Sequence, residues 1–346
     1  MYKQLLLDNE CVPILCDYEL EPLKSSEVRV QSLFGSPKHG TETTFVINDP
    51  YAGVYYDGET RLFMKKAVVE PCAGSFPLGN MFVGIVIETT ADAVKVKVGD
   101  KVAGYGGLKE IHTIHENDLW LLNERMTWQE AVCFDPLQYA LGGVRDGNVR
   151  AGDKVLVSGL GAIGLMAAQL VKRAGATLVA VSDPIAKRRE VALQNGADIA
   201  FDPTRQDVGL ELRKYTRNVG VDVVVETSGS YAAMEQGFRA LGFQGTQCMV
   251  GWMQSCHTPI HLGYEPHWNH LKLIFSAIWR DPNPDHPRYS FRRIQEECWD
   301  MLGRGWFNCE NIIDPIVRFE ECAKAYKDVI LDHPEKSVKM GVVFNV

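Results

Sequence analysis

Three glycines and one aspartate carry the clearest chemistry in the chain. Gly159, Gly161 and Gly164 fall in Gly159-Leu160-Gly161-Ala162-Ile163-Gly164, a GxGxxG spacing, and Asp183 stands nineteen residues past the last of them. Each glycine has a separate task in such a turn. Gly159 permits the tight bend, Gly161 lets backbone approach a pyrophosphate, and Gly164 lets a helix pack closely on a strand. The unbonded N–H groups at the helix start, where Ala162 and Ile163 lie, then face the anion. The Asp183 carboxylate accepts hydrogen bonds from both ribose hydroxyls of an adenosine and opposes a 2′-phosphate, which favours NAD over NADP. Lys187, Arg188 and Arg189 follow closely and could hold that phosphate.

The glycines need a strand before them and a helix after them. Val155-Leu156-Val157 is a short, mostly β-branched apolar run that stops at glycine, the pattern of a buried parallel strand. Ile163, Met166, Ala167, Leu170, Val171 and Ala174 then recur at helical spacing, with Lys172-Arg173 in the last turn and Gly175 as a stop. A second strand, 178–182, delivers Asp183. Later strands at 221–226, followed by Thr227-Ser228-Gly229, and at 246–250 extend an alternating pattern that indicates a parallel sheet covered on both faces. Thr227, at the end of one of these strands, joins the cofactor-binding set with Gly159, Gly161, Ala162, Ile163, Gly164 and Asp183.

Residues 1 to about 130 read differently. Short runs such as 28–32, 83–88 and 101–104, with glycine turns between, suggest a partly closed antiparallel β domain. Ala93 to Val98 alternates as a half-buried strand would and ends in Gly99-Asp100, a turn before the next strand. From Trp128 to Val144 the spacing is helical, with Pro136 expected to bend or interrupt it. Trp279 to Pro287 is too rich in proline for helix or central strand and reads as a functional loop. Helices at 292–302 and 319–331 and a strand at 339–346 close the chain. The division expected is 1–136 for the first part of a catalytic domain, 137–276 for the NAD-binding domain and 277–346 for the return to the catalytic domain.

With 346 residues, two domains are the default. A charge of −8 without a basic block argues against nucleic acid or an anionic membrane surface as partner. No stretch reaches membrane-spanning length and the start lacks a signal-peptide pattern, so the cytoplasm is the expected location. Nine scattered cysteines with no CxxC imply neither a disulfide framework nor a compact zinc knuckle.

A β-rich first part, a central Rossmann unit introduced by Val149-Arg150-Ala151-Gly152-Asp153, and a C-terminal return resemble the medium-chain dehydrogenase/reductase superfamily over nearly the whole chain. The resemblance implies an α/β architecture: a Rossmann doubly wound parallel sheet plus a GroES-like β-rich catalytic domain. More narrowly, Phe34 to Glu42, Leu78 to Met81, Cys133 to Pro136, Gly143 to Val149, Pro282 to Asp285 and Ser337 to Val342 look like the bacterial D-guloside 3-dehydrogenase group. That implies NAD-linked oxidation of a pyranoside's 3-hydroxyl, or reduction of the 3-keto sugar, by a homo-oligomer of two or four subunits.

Zinc members of the superfamily present a CGTD-like motif, a GHE motif and a third Cys or Glu. Here these become His39-Gly40-Thr41-Glu42, Gly79-Asn80-Met81 and Asp135-Pro136. Histidine replaces the cysteine, the ligand histidine is lost, and only His39 and Asp135 survive as metal ligands, against the three that a catalytic zinc takes from protein. No cysteine lies between Tyr105 and Leu122, where the structural zinc lobe would be. His39 therefore has two readings. It joins Asp135 and a third group such as His115 or His267 on zinc, or it acts without metal as acid and base, the reading we favour. Thr41 would relay the proton, as the resemblance implies, and Lys38 would orient or protonate the oxygen, or sit as a solvated turn residue. Asp135 is an N-cap or a site residue.

Glu265, His267 and Asn269 share a face only if extended, and would then bind sugar hydroxyls. Trp252, Trp268 and Trp279 offer apolar platforms to a sugar, or are core and interface residues. Arg145 and Asp146 are a structural pair or lie by the nicotinamide. The expected activity is NAD-dependent hydride transfer at a secondary alcohol or ketone of a sugar or glycoside, with the resemblance implying C3 of a hexopyranoside. A zinc-dependent polyol dehydrogenase of the sorbitol type and a non-catalytic NAD-binding sensor are the alternatives.

Overall fold

A computed structural model describes residues 1–48, 51, 53–67, 76–253, 259–278 and 287–345. The chain forms two compact units, one of Met1–Val132 with Ile313–Val346 and one of Cys133–Ile312. The loop read at 279–287 lies, apart from Pro287, outside the described residues, and so does Trp279.

In the second unit six parallel strands run in the order Ile199–Phe201, Leu178–Ser182, Lys154–Ser158, Val221–Glu226, Leu241–Met249, Lys272–Phe275. Going outward from Lys154–Ser158 the chain builds first to one side and then to the other, so the order reverses between that strand and Val221–Glu226. A doubly wound sheet opens its ligand crevice at such a reversal, beyond the carboxyl ends of the strands. One face is sealed by Leu156, Leu178, Phe201, Leu212, Val224 and Leu241. The strand at 178–182 has the span expected.

The first unit is built on a mainly antiparallel sheet in the order Trp120–Leu121, Lys101–Tyr105, Met81–Thr89, Glu27–Ser36, Lys339–Val343, Ile313–Arg318, with Ile111–His115 also paired to Glu27–Ser36. Lys339–Val343 therefore sits between a strand from the start of the chain and one from its end. Leu5, Leu78, Leu108, Tyr326 and Val342 pack in one core of this unit, and Val30, Phe82, Val86 and Leu119 in another.

Several local expectations change. The return to the first unit begins at Ile313 rather than 277, because the helix Phe291–Gly303 stays with the parallel-sheet unit, with Trp299 edge-on to Phe134 at 5.0 Å. The first boundary falls after Val132, a few residues before the expected one. Helical residues 128–146 break at Cys133 into Trp128–Val132 and Phe134–Asp146, which leaves Pro136 in a first turn where no N–H is needed. Residues 93–98 form no strand: Val96 is buried while Val94 and Val98 are exposed, and the Lys95 N–H is taken by Glu116 at 2.5 Å. The helix read at 319–331 is a 3-10 turn at Phe319–Glu321, a short α-helix at Cys322–Tyr326 and a π-helical turn at Lys327–Asp332.

Candidate active site

The glycine turn joins the strand Lys154–Ser158 to the helix Ala162–Arg173. Gly159 has φ +85°, and a Cβ there would stand 2.7 Å from Ser228 Cβ, so the turn needs glycine on both conformational and steric grounds. A Cβ on Gly164 would overlap the carbonyl oxygen of Gly159 and come within 2.8 Å of Thr227 Oγ1. Gly161 differs: a Cβ there would meet nothing within 4 Å. That open cradle beside the N-terminus of a twelve-residue helix suits a pyrophosphate.

Asp183 is buried at the end of the second strand. Its Oδ2 accepts the Leu160 N–H at 2.7 Å and its Oδ1 accepts the Ile185 N–H at 2.8 Å. An ionised carboxylate offers about four lone-pair directions, so two remain for ribose hydroxyls after the backbone has been served. The residues present fit a dinucleotide. Of the basic residues that could hold a 2′-phosphate, Arg189 is engaged: Nη1 donates to the Asp183 carbonyl at 2.6 Å and Nη2 pairs with Asp202 at 3.2 Å. Burial pulls the Arg188 guanidinium below its ordinary value, partly countered by Asp183.

Thr227 lies where the strand Val221–Glu226 ends. Its hydroxyl donates to the Gly159 carbonyl at 2.7 Å and its N–H to the Ser158 carbonyl at 2.8 Å, so it clamps two strand ends together across the reversal. Glu226 was not singled out in the sequence, yet it organises the same edge. It is fully buried, accepts the N–H groups of Ser228 and Gly229 at 2.7 and 3.1 Å and the Ser228 hydroxyl, and burial raises its carboxyl above the ordinary range. Trp252, 41% exposed, follows on this edge, and its carbonyl stands 2.8 Å from where a Gly229 Cβ would be.

In the first unit the helix His39–Asn48 opens on the residues of the altered motif. Its start is fixed by Glu42, whose Oε1 accepts the Lys38 N–H at 2.7 Å and the Gly79 N–H at 3.3 Å, and whose Oε2 accepts the Tyr326 hydroxyl at 2.8 Å. Glu42 is buried, which raises its carboxyl, while the nearby Lys339 acts the other way. Lys339 is itself buried and donates to the Pro37 carbonyl at 2.8 Å. Tyr326 is pushed up by burial and by Glu42 and stays a neutral phenol. This cluster beneath the helix was not read from sequence.

His39 is half-buried, and its Nε2 accepts the Met340 N–H at 2.9 Å. The bond fixes a tautomer with the ring proton on Nδ1. Protonating Nε2 would set one N–H against another, so proton uptake there requires breaking the Met340 bond. Thr43 and Thr44 return their hydroxyls to the carbonyls of His39 and Gly40 at 2.7 and 2.9 Å, whereas the Thr41 hydroxyl has no hydrogen-bond partner among the described residues. Asn80 is held by backbone bonds to Ser36 and Gly106, and its Nδ2 is buried without a partner.

Among the described residues no three His, Cys, Asp or Glu side chains gather as a metal site requires. His115 spends Nδ1 on the Asn117 N–H at 3.1 Å, capping a 3-10 turn. Among the described residues the donor set does not make up a zinc site. Asp135 is buried in the first turn of Phe134–Asp146, whose cap position is Cys133, so it is not the N-cap.

Glu265, His267 and Asn269 do not lie on an extended face. They occupy the single helical turn Glu265–Trp268 and its cap, where Glu265 pairs with Arg239 at 3.3 Å and the Asn269 carbonyl accepts the Gln244 N–H. That turn precedes the strand Lys272–Phe275, at the end of the sheet where strands begin, opposite the glycine turn. Trp268 is 79% exposed there. Arg145 stacks on Tyr289 at 3.3 Å and Asp146 accepts the Ser276 hydroxyl at 2.7 Å.

A family model described as zinc-binding dehydrogenase matches residues 162–288. The chain is 42% identical over 349 residues to the D-guloside 3-dehydrogenase of Escherichia coli strain K12, covering 99% of this chain and all of that protein. Among solved structures, 2R,3R-butanediol dehydrogenase from Bacillus subtilis superimposes with a TM-score of 0.78 at 20% identity over the whole of both chains. Galactitol-1-phosphate dehydrogenase from Escherichia coli gives 0.78 at 18% identity over 99% of each. These two likenesses establish the fold, a doubly wound parallel sheet with a β-rich partner domain. The near-complete match to a curated relative establishes the lineage, and the chain belongs to the medium-chain dehydrogenase/reductase superfamily of oxidoreductases.

Proposed function

We propose that the protein is an NAD-dependent dehydrogenase acting on a secondary alcohol, or the matching ketone, of a sugar or glycoside, with C3 of a hexopyranoside as the reacting carbon. The observation that carries this is the 42% identity across 99% of the chain to a protein named for a guloside and its 3-position. Asp183 supports the coenzyme, because its two remaining lone-pair directions match two ribose hydroxyls and its charge opposes a phosphate. Bound NAD supplies the hydride acceptor; the protein supplies alignment and proton handling.

The proton-handling residues in this reading are His39, Thr41, Lys38 and Asp135. Thr41, with its hydroxyl uncommitted, relays the substrate proton. His39 in its Nδ1-protonated form acts as donor, and accepts a proton only by exchanging the Met340 bond. Lys38 orients the oxygen, and Asp135 is retained for its match to the superfamily's third site position. Glu265, His267 and Asn269 are not carried into this site. No helix of the described residues is long and apolar enough to cross a membrane, and we place the enzyme in the cytoplasm. We also propose a homo-oligomer, because Lys272–Phe275 is the outermost strand of the parallel sheet and leaves Leu273 and Phe275 40% and 69% exposed. Light scattering tests that assignment, and a monomeric mass rejects it.

The activity is tested by following NAD reduction over a panel of methyl glucosides, gulosides, allosides and free polyols. Turnover confined to pyranosides, lost on 3-deoxy analogues, is expected. A flat response with NAD binding intact would favour a sensor.

A further inference from the structure

We infer that the side-chain amide of Asn80 is a hydrogen-bond donor to the reacting oxygen of the substrate. The inference rests on the dehydrogenase reading above and adds to it a residue that stabilises charge on that oxygen.

Asn80 Nδ2 is buried and has no acceptor among the described residues, although buried donors are nearly always paired. The backbone around it is fully determined. The Asn80 N–H donates to the Ser36 carbonyl at 3.1 Å and the Asn80 carbonyl accepts the Gly106 N–H at 3.0 Å. Gly79 before it has φ +125°, with backbone of Gly107 and Leu108 packed where its Cβ would be, and its N–H is held by Glu42. These bonds fix the backbone from which the amide projects. A donor so fixed and so unsatisfied in the unliganded protein is a group awaiting an acceptor.

Its neighbours are those of the proposed catalytic helix. Ser36, which holds Asn80, donates its own hydroxyl to the Met340 carbonyl at 2.7 Å, and the Met340 N–H is the group bonded to His39 Nε2. Glu42, which holds Gly79, also holds the start of the helix that carries His39 and Thr41. In oxidation the substrate O–H bond breaks and its proton leaves through Thr41 toward solvent. NAD, which Gly161 and Asp183 would hold, would supply the acceptor for the hydride that carries away the C–H electron pair and leaves a carbonyl. Between these events the oxygen carries negative charge. In the proposed role the Asn80 N–H, already desolvated, donates to that oxygen and stabilises the charged state. In the reverse direction the same N–H polarises the ketone.

The test compares Asn80→Ala, Asn80→Leu and Asn80→Asp with wild type by steady-state kinetics, NADH titration and thermal denaturation. Loss of one such donor lowers kcat by about 100-fold. Asn80→Ala should show that fall with KM for NAD unchanged and a larger deuterium isotope effect at the oxidised carbon. Asn80→Leu should match or exceed the wild-type Tm, because no native hydrogen bond is lost. Asn80→Asp cannot donate when ionised, so its activity should recover as pH falls. If wild type turns over glycosides and Asn80→Ala stays within twofold of it, the inference alone fails. A clear drop in Tm for Asn80→Leu shows that the amide has a structural partner and also overturns it. Wild-type protein inert toward the whole panel sinks the dehydrogenase reading, and this inference with it.

Discussion

Replacing Asp183 separates the coenzyme's use of the residue from the fold's use of it. The carboxylate accepts the backbone N–H groups of Leu160 and Ile185, at 2.7 and 2.8 Å, and in the proposed coenzyme complex it also accepts two ribose hydroxyls. A hydrogen bond to a charged group contributes about 1.5–3 kcal/mol. Two such bonds that act as a unit and do not add fully are worth about 3 kcal/mol. At 1.4 kcal/mol per decade, Asp183→Ala should raise the NAD dissociation constant about 100-fold. The same change strands a buried N–H at Leu160, which is fully buried, at a cost of about 1–3 kcal/mol in stability. Asp183→Asn keeps one acceptor oxygen but turns an NH2 group toward the other N–H, so it should fall between alanine and wild type in Tm while still losing most of the NAD affinity. NADH fluorescence titration gives the affinity and thermal denaturation without coenzyme gives the stability. The two variants should also bind NADP relatively better, since the charge opposing a 2′-phosphate is gone. An NAD affinity for Asp183→Ala within threefold of wild type would refute the coenzyme assignment; a lowered Tm with unchanged affinity would leave Asp183 as a turn clamp only.

Gly164→Ala places a methyl group against the Gly159 carbonyl, a backbone atom that cannot yield. Helix and strand must separate at a cost of about 1–3 kcal/mol, so a Tm equal to wild type would contradict the packing described. Burial lifts the Glu42 carboxyl above its ordinary 4.5. From pH 4.5 up to its value in the fold, the native state keeps a proton that the unfolded chain has released, and stability falls with rising pH. Glu42→Gln removes that titration, so Tm measured against pH should shift progressively in the variant's favour above pH 4.5; a constant difference would count against it. His39→Ala should abolish turnover with NAD affinity held within a few-fold, and wild-type rates in that variant would exclude either role given to the ring. Purified enzyme treated with a chelator should keep its turnover, whereas stoichiometric zinc with chelator-sensitive activity would restore the polyol-dehydrogenase reading.

What the sequence reveals is what local spacing encodes. The run Leu178 to Ser182 is apolar between a glycine-containing turn and an acid, and it becomes a strand with those limits. Residues 93–98 show where the same logic stops: alternation predicts a half-buried strand, but the Lys95 N–H is claimed by Glu116 instead of a neighbouring strand. Glu265, His267 and Asn269 fail for a related reason, since Pro266 sits comfortably in the first turn of a short helix. Glu42 was visible only as part of a motif. Its partners Tyr326 and Lys339 lie almost three hundred residues further on, a separation that no periodicity reports. The partnerless amide of Asn80 was equally hidden, because a lack of acceptors is a property of three dimensions.

The placement of Lys339–Val343 inside the sheet of the first unit orders events during synthesis. The parallel-sheet unit is one unbroken stretch, Cys133–Ile312, and can close on itself while the ribosome is still adding the residues that follow Ile312. The unit bearing His39 cannot, because the ring's backbone partner, Met340, and the strand beside Phe34 and Gly35 emerge only after that stretch is made. Until then the edge at Phe34 and Gly35, beyond the part covered by Ile111–His115, stands open to foreign strands, so a stalled or truncated product should be the aggregation-prone species, with its parallel-sheet half already shaped.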